Sequence, residues 1–439
     1  MAVEKTNANE VDIPIADLKK TVVGAAVGNL IEWFDYATYG YLATVLAAVF
    51  FAPGNQVGSL LATFAVFAVS FVVRPLGGLI WGYYGDKIGR KKILVLTVLI
   101  MSLSTFGIGL IPGYATIGIA APILLLVCRL VQGFSASGEY AGAAAFIAEH
   151  APDSKRGLLV SMVPASTAAG LVLGAIVASI LEFNLSAGAL QSWGWRIPFL
   201  MAGPLGIIAL FIRLKLEDPE LFKEMEKKKE SAKEEKKSPI LQGIKTNWRQ
   251  VLVAFGVVSL NAVGFYIILT YMPTYLAEEL GFNSAASILT TILSLGSYVF
   301  FLPLVGSIAD KVGRRPVLIS ACILFVLLTY PTFMLLSWGG VFAVLAQILL
   351  GAILAGNDGV LATFLSEMFP TNVRYSCFAL SFNTSNALFG GTAPFAATFL
   401  ISITNNTFAP AFYLMGAAAI AFIALLWTKE TANQPLRQE

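Results

Sequence analysis

Twelve apolar runs, each long enough to cross a bilayer, follow one another along this chain with short polar segments between them. They fall at about 21–46, 56–82, 93–112, 118–148, 158–183 and 195–213, then at about 250–277, 285–309, 317–337, 340–368, 375–402 and 408–428. A membrane helix needs roughly 20 such residues, and lipid forces each backbone N–H and C=O to pair within its own segment. The pattern predicts an all-α membrane protein of twelve transmembrane helices in two halves of six. Composition agrees, because 57% hydrophobic against 13% charged residues leaves too little polar surface for a soluble chain.

The halves repeat each other. GYYGDKIGRKK, from Gly82 to Lys92, returns as GSIADKVGRRP from Gly306, which sets Asp86 and Asp310 224 residues apart. Glu149 and Glu367 are 218 residues apart, and each is followed seven positions later by arginine, Arg156 and Arg374. Internal duplication of this kind marks many secondary transporters.

Charge sets the expected topology. Of the 29 lysines and arginines, 26 fall on the side of the membrane that would also hold both termini, and the remaining three, Arg74, Arg129 and Arg196, lie within helices or at a helix end. By the positive-inside rule both termini are cytoplasmic. The expected organisation is a cytoplasmic N-terminal segment (1–20), a six-helix bundle (21–213), a cytoplasmic linker (214–249) containing EKKKESAKEEKK, a second bundle (250–428) and a cytoplasmic tail (429–439). No small-residue cleavage signature accompanies the first run, so no removable signal peptide is expected.

Several function classes drop out. Cys128, Cys322 and Cys377 lie in or beside apolar runs without CxxC spacing and read as small buried hydrophobes. His150 is the only histidine and reads as a solvated helix-end residue, so no metal site is expected, and no cofactor. The net charge of +3 comes with no basic domain that would take nucleic acid. No nucleophile–base pair or phosphate loop survives placement on the helices, which argues against an enzyme. The expected partners are a small solute, protons and the bilayer, with the chain working as a monomer.

Ionisable residues inside the membrane carry the functional reading, because each costs roughly 2.5 kcal/mol or more at the bilayer centre unless it is paired, hydrated or used. Asn29, Glu32, Trp33 and Tyr36 share one face of the first helix, with Asp35 and Tyr39 on its flank. Arg129 of the fourth helix is the expected partner, with Gln132 one turn on. Either these are static ion pairs or Glu32 or Asp35 takes up a proton, switched as Arg129 moves or as substrate binds. Arg129 also suits a substrate carboxylate, which a guanidinium grips at two points. Glu139 sits among small residues that read as helix-packing positions. In the second half Asp358, beside Asn357, is the one clear mid-helix acid, and Asn261, Tyr266, Tyr271, Asn383 and Asn386 are polar candidates. Trp33, Tyr36, Tyr39 and Tyr266 could present aromatic faces to an ammonium group, which makes a zwitterion a suitable substrate. Arg74, next to Pro75 and near the inner end of its helix, reads as a poor substrate ligand.

Six plus six helices with the repeated loop resemble the major facilitator superfamily along essentially the whole chain. GNLIEWFDYATYG, RPLGG at Arg74, CRLVQGFSASGEY and WGWRIPF at Trp193 resemble its metabolite:proton symporter branch, and TIGIAAPILLL, LTYMPTYL, MFPTNVRYS and KETANQPL are similar to the proline/betaine transporter group. The resemblance implies a bacterial inner-membrane symporter that imports proline or glycine betaine with protons by alternating access. The alternative within the branch is a carboxylate metabolite of the α-ketoglutarate, citrate or shikimate type. It also implies that Asp86 and Asp310 face the positive ends of helices 11 and 5, in opposite halves. With Gly82, Arg90, Glu149, Gly306, Arg314 and Glu367 they would form a cytoplasmic gate. Longer members carry a C-terminal coiled coil linked to osmotic control, and only nine residues follow Glu430 here, so such control is expected to use other means.

Overall fold

The computed structural model describes residues 15–54, 56–216 and 245–437, so most of the expected linker and of the N-terminal segment lies outside the described residues. Among the described residues the long elements are all helices: α1 (Ile15–Tyr41), α2 (Gly58–Ile88), α3 (Arg90–Leu110), α4 (Ala120–His150), α5 (Asp153–Asn184), α6 (Ala187–Leu214), α7 (Trp248–Glu279), α8 (Leu289–Val312), α9 (Arg314–Ser337), α10 (Gly340–Met368), α11 (Arg374–Thr404) and α12 (Ala409–Leu426). Eleven of these are long and apolar enough to cross a membrane. The twelfth is α1, whose Glu32 and Asp35 dilute its hydropathy without exposing it, since both are buried. Large apolar side chains such as Leu103, Phe211, Phe300 and Phe395 point outward, while the polar residues turn inward, as lipid requires.

Within the halves α1 packs on α5, α3 on α6, α8 on α10 and α9 on α12. Between the halves α2 lies along α11 and α5 along α8, the same crossing twice under the internal repeat. Small residues permit both. A Cβ on Gly82 would stand 2.5 Å from the Ser376 Cα, and one on Gly306 would stand 2.6 Å from the Gly157 carbonyl oxygen. Gly89 and Gly313, the glycines just before the first arginine of each copy of the motif, turn the chain from α2 to α3 and from α8 to α9 at φ 107° and 113°, where a side chain would be strained.

Cys128, Cys322 and Cys377 are free thiols in these helices, the last two buried. His150 ends α4 with its Nδ1 2.8 Å from the Phe146 carbonyl oxygen.

Candidate functional site

Midway along the bundle a closed-down cavity of about 20 Å³, roughly the room that one water needs, lies between the halves. Glu32, Trp33, Arg74 and Tyr140 line it from the first half, and Asn261, Phe265, Phe382, Asn383 and Asn386 from the second. The turns Phe265–Tyr271 of α7 and Asn386–Gly390 of α11 are π-helical, a widening that often accompanies functional positions.

Arg74 is the cation of this cavity. Pro75 has no N–H for the carbonyl four residues back, and α2 is interrupted at Val73 before Arg74 begins a new helical stretch. There Arg74 Nη2 donates to Glu32 Oε1 at 2.9 Å, and the guanidinium lies 4.8 Å from the Tyr36 ring centroid and 4.7 Å from that of Phe71. Arg74 Nε, Glu32 Oε2 and Trp33 Nε1 are buried without hydrogen-bond partners. Polar capacity therefore remains beside the cavity.

Arg129 sits deeper in the first half. Its Nη1 donates to Asp35 Oδ2 at 2.8 Å and to Gln132 Oε1 at 3.0 Å, while Gln132 Nε2 donates to Asp35 Oδ2 at 3.0 Å and to Thr105 Oγ1 at 2.7 Å. The guanidinium lies 3.7 Å from the Tyr39 ring centroid and 5.3 Å from that of Tyr36. Glu32 and Asp35 thus each have an arginine of their own, and the Tyr36 ring stands within cation–π range of both. Sequence reasoning gave both acids to Arg129 and set Arg74 aside. The signal it underweighted was the proline inside a membrane helix, which marks a bend as readily as an end.

The other candidates divide between cavity and scaffold. Asn29 is turned onto α5, donating to the Val163 carbonyl at 2.9 Å, Ser166 Oγ at 2.9 Å and Thr167 Oγ1 at 2.7 Å. Tyr39 donates to the Thr63 carbonyl at 3.0 Å. Asn383 lines the cavity and bridges the halves, donating to the Ser137 carbonyl at 2.8 Å. Glu139 is paired with Arg213 and receives Thr97 Oγ1 at 3.1 Å. Tyr271 is hydrogen-bonded to Thr398 at 3.1 Å, away from the cavity lining.

Aromatic pairs span the halves beside the cavity. Tyr140 and Phe382 stack with centroids 4.4 Å apart and planes 5° from parallel. Trp33 meets Phe265 at 4.9 Å, and Phe71 meets Tyr266 at 5.7 Å.

The repeated motif lies at the end of the bundle where α1 begins and α12 ends. Asp86 accepts from the backbone N–H groups of Tyr375 at 3.2 Å and Ser376 at 2.9 Å, at the start of α11. Asp310 accepts from those of Gly157 at 2.8 Å and Leu158 at 2.9 Å, near the start of α5. Glu149 takes Arg90 of its own half at 3.1 Å and Arg374 of the other at 2.6 Å. Glu367 takes Arg314 of its own half at 3.2 Å and Arg156 of the other at 3.0 Å. The C-terminal residues lie against these clusters. Gln434 and Arg437 offer carbonyls to Arg156 and Arg374, and Thr431 donates to Glu367 at 2.6 Å.

Two duplicated helical halves in an apolar coat, with an ion-paired cavity between them and charged contacts closing one end, define a membrane transporter. A profile described as Major Facilitator Superfamily matches residues 25–297, and one described as Sugar (and other) transporter matches residues 215–438. The proline/betaine transporter of Salmonella typhimurium is 42% identical over 435 residues, covering 97% of this chain and 87% of the relative. The glycine betaine/proline/ectoine/pipecolic acid transporter OusA of Dickeya dadantii is 42% identical over 438 residues, with the same coverage. The ectoine/proline transporter ProP of Corynebacterium glutamicum is 39% identical over 435 residues, covering 97% of this chain and 86% of that one. The proton:xylose symporter XylE bound to 6-bromo-6-deoxy-D-glucose shares the fold, with a TM-score of 0.81 at 19% identity over 97% of this chain and 98% of that chain. The chain therefore belongs to the Major Facilitator Superfamily and, within it, to the family of bacterial proline/betaine transporters, as a multi-pass protein of the inner membrane.

Proposed function

We propose that the protein is a proton-coupled symporter that imports a zwitterionic osmolyte, proline or glycine betaine, by alternating access. The observation that carries this reading is the Arg74–Glu32 pair in the cavity wall, 2.9 Å apart, with Arg74 Nε and Glu32 Oε2 unpartnered. A substrate carboxylate entering the Arg74 fork displaces Glu32, and a proton taken up by Glu32 keeps the cavity's charge balanced. Substrate and proton are then bound together or not at all. Trp33, Phe265 and Phe382 supply ring faces for the ammonium end. Asp35 and Arg129 form a second proton-sensitive pair, linked to the first through the Tyr36 ring.

The substrates named for the relatives, proline, glycine betaine and ectoine, support the zwitterion. A di- or tricarboxylate of the α-ketoglutarate or citrate type needs a second free cation, and Arg129 is held by Asp35 outside the cavity lining. The basic residues support cytoplasmic termini. Asp86, Arg90, Glu149, Asp310, Arg314 and Glu367, with Gly82 and Gly306 at the crossings, then act as the cytoplasmic gate between bundles 21–213 and 250–428, in a transporter that works as a monomer. Uptake of labelled proline and glycine betaine into proteoliposomes, acid outside, tests the reading. Each is expected to compete with the other, α-ketoglutarate to compete with neither, and the gradient to drive accumulation. Uptake indifferent to the gradient removes the coupling.

A further inference from the structure

The two walls of the cavity carry different charge. In the first half every buried mid-membrane carboxylate has an arginine: Glu32 has Arg74, Asp35 has Arg129, and Glu139 has Arg213. The second half breaks this rule at one residue. Asp358 of α10 is fully buried, and among the described residues no lysine, arginine or histidine pairs with it. Its oxygens are held by neutral donors, Tyr298 Oη at 2.6 Å and Asn357 Nδ2 at 2.8 Å, with Asn261 of α7 facing the same carboxyl. Neutral donors orient a negative charge without cancelling it.

Asp358 stands directly behind the cavity. Asn261 faces it and lines the cavity on its other side. Phe265, also in the lining, packs against the Tyr298 ring with centroids 6.5 Å apart. Tyr140 of the opposite half lines the cavity within electrostatic reach of Asp358. A solute admitted as these walls part therefore meets the Arg74 cation on one side and an uncompensated carboxylate behind the other, and in a low-dielectric interior such a field is felt across several ångströms.

We propose that Asp358 is the specificity-determining group for the cationic end of the substrate. It orients the zwitterion with its carboxylate on Arg74 and its ammonium group against the Asn261–Phe265 wall. This rests on the zwitterion reading above and deepens it, because it assigns the discrimination against simple carboxylates to a residue that does not touch the substrate. Asp358 is in this sense a positioning residue acting through Asn261.

The test is a pair of ligands of one shape. Glycine betaine and 3,3-dimethylbutyrate differ by a quaternary nitrogen against a quaternary carbon, so they differ in charge and hardly in size. Binding of both to the purified full chain, followed by calorimetry, gives an affinity ratio. Asp358→Asn is expected to lower that ratio roughly tenfold by weakening betaine alone, the order of effect of one charge at this range. Asp358→Glu is expected to restore it. A merely structural role weakens both ligands together, and that result, or an unmoved ratio, overturns the proposal. Loss of gradient-driven uptake with the ratio intact also overturns it, since Asp358 would then serve the proton. If Asp358→Asn does not fold, the wild-type ratio still decides, because equal binding of the two ligands leaves nothing for Asp358 to read. A wild-type chain that binds neither betaine nor proline would instead remove the functional reading beneath it.

Discussion

Arg374 Nη1 of the second half lies 2.6 Å from Glu149 Oε1 of the first, and both side chains are fully buried. The contact closes one end of the bundle together with its repeat-related partner, Arg156 on Glu367. Both are set beside an aspartate that caps a helix of the opposite half.

These caps set a first prediction. Asp86 at the start of α11 interacts with the helix dipole for about 0.3–2 kcal/mol, so Asp86→Asn is expected to shift the population toward the inward-open form by up to roughly 30-fold. Distances between spin labels on the ends of α2 and α11 report the shift. An unchanged distribution would falsify the latch.

Glu32→Gln gives a second. The amide mimics the protonated carboxyl, so substrate exchange down its own gradient should persist while accumulation driven by a proton gradient is lost. Counterflow and driven uptake, measured on the same proteoliposomes, separate the two. If driven accumulation survives, Glu32 is not the coupling group.

Arg74→Lys keeps the charge and loses the two-point fork, and affinity for proline or betaine is expected to fall by about tenfold or more, the worth of one hydrogen bond to a charged group. Arg129→Lys, outside the cavity lining, is expected to affect driven uptake more than binding. Reversal of that order between the two variants contradicts the division of labour between the arginines.

Glu430 gives a pH dependence. Its half-buried setting opposes ionisation, but backbone N–H groups of Ala432, Arg314, Arg315 and Thr431 outweigh this and hold the carboxyl below its ordinary value. The group is depressed in the folded state, so its contribution is fully present above the ordinary glutamate pKa of about 4.3 and is lost as pH falls through the folded value. Amide exchange of residues 428–437, corrected for its intrinsic rate, should stay flat from neutral pH down to about 5 and rise only below about 4. Glu430→Gln should raise it at neutral pH. A rise already above pH 5 would assign the transition to another group.

Much of this was readable from the residues. The duplicated motif and the spacing of Glu149 and Glu367 announced both the halves and the closing contacts, because charges are rare enough here that a repeat of them stands out. Glu32 and Asp35 were legible for the same reason. Arg74 was not, since its use depends on how α2 is interrupted at Val73 ahead of Pro75, and periodicity assumes an unbroken helix. The ordering of the tail was also hidden. Gln434 and Arg437 act through backbone carbonyls, which any sequence offers, so no side-chain pattern marks them. Asp358 was visible as an acid without an arginine, but its place behind Asn261 needed the packing of α7 against α10.

Each shared glutamate at the closed end holds one arginine from its own half and one from the other. When the halves part, Glu149 keeps Arg90 and Glu367 keeps Arg314, so neither carboxylate is stranded. The group that loses its carboxylate is Arg374, because Arg156 keeps Asp153 of its own half. Parting of the halves would therefore bare one guanidinium at this mouth, that of Arg374, and salt is expected to screen it over about 8–10 Å.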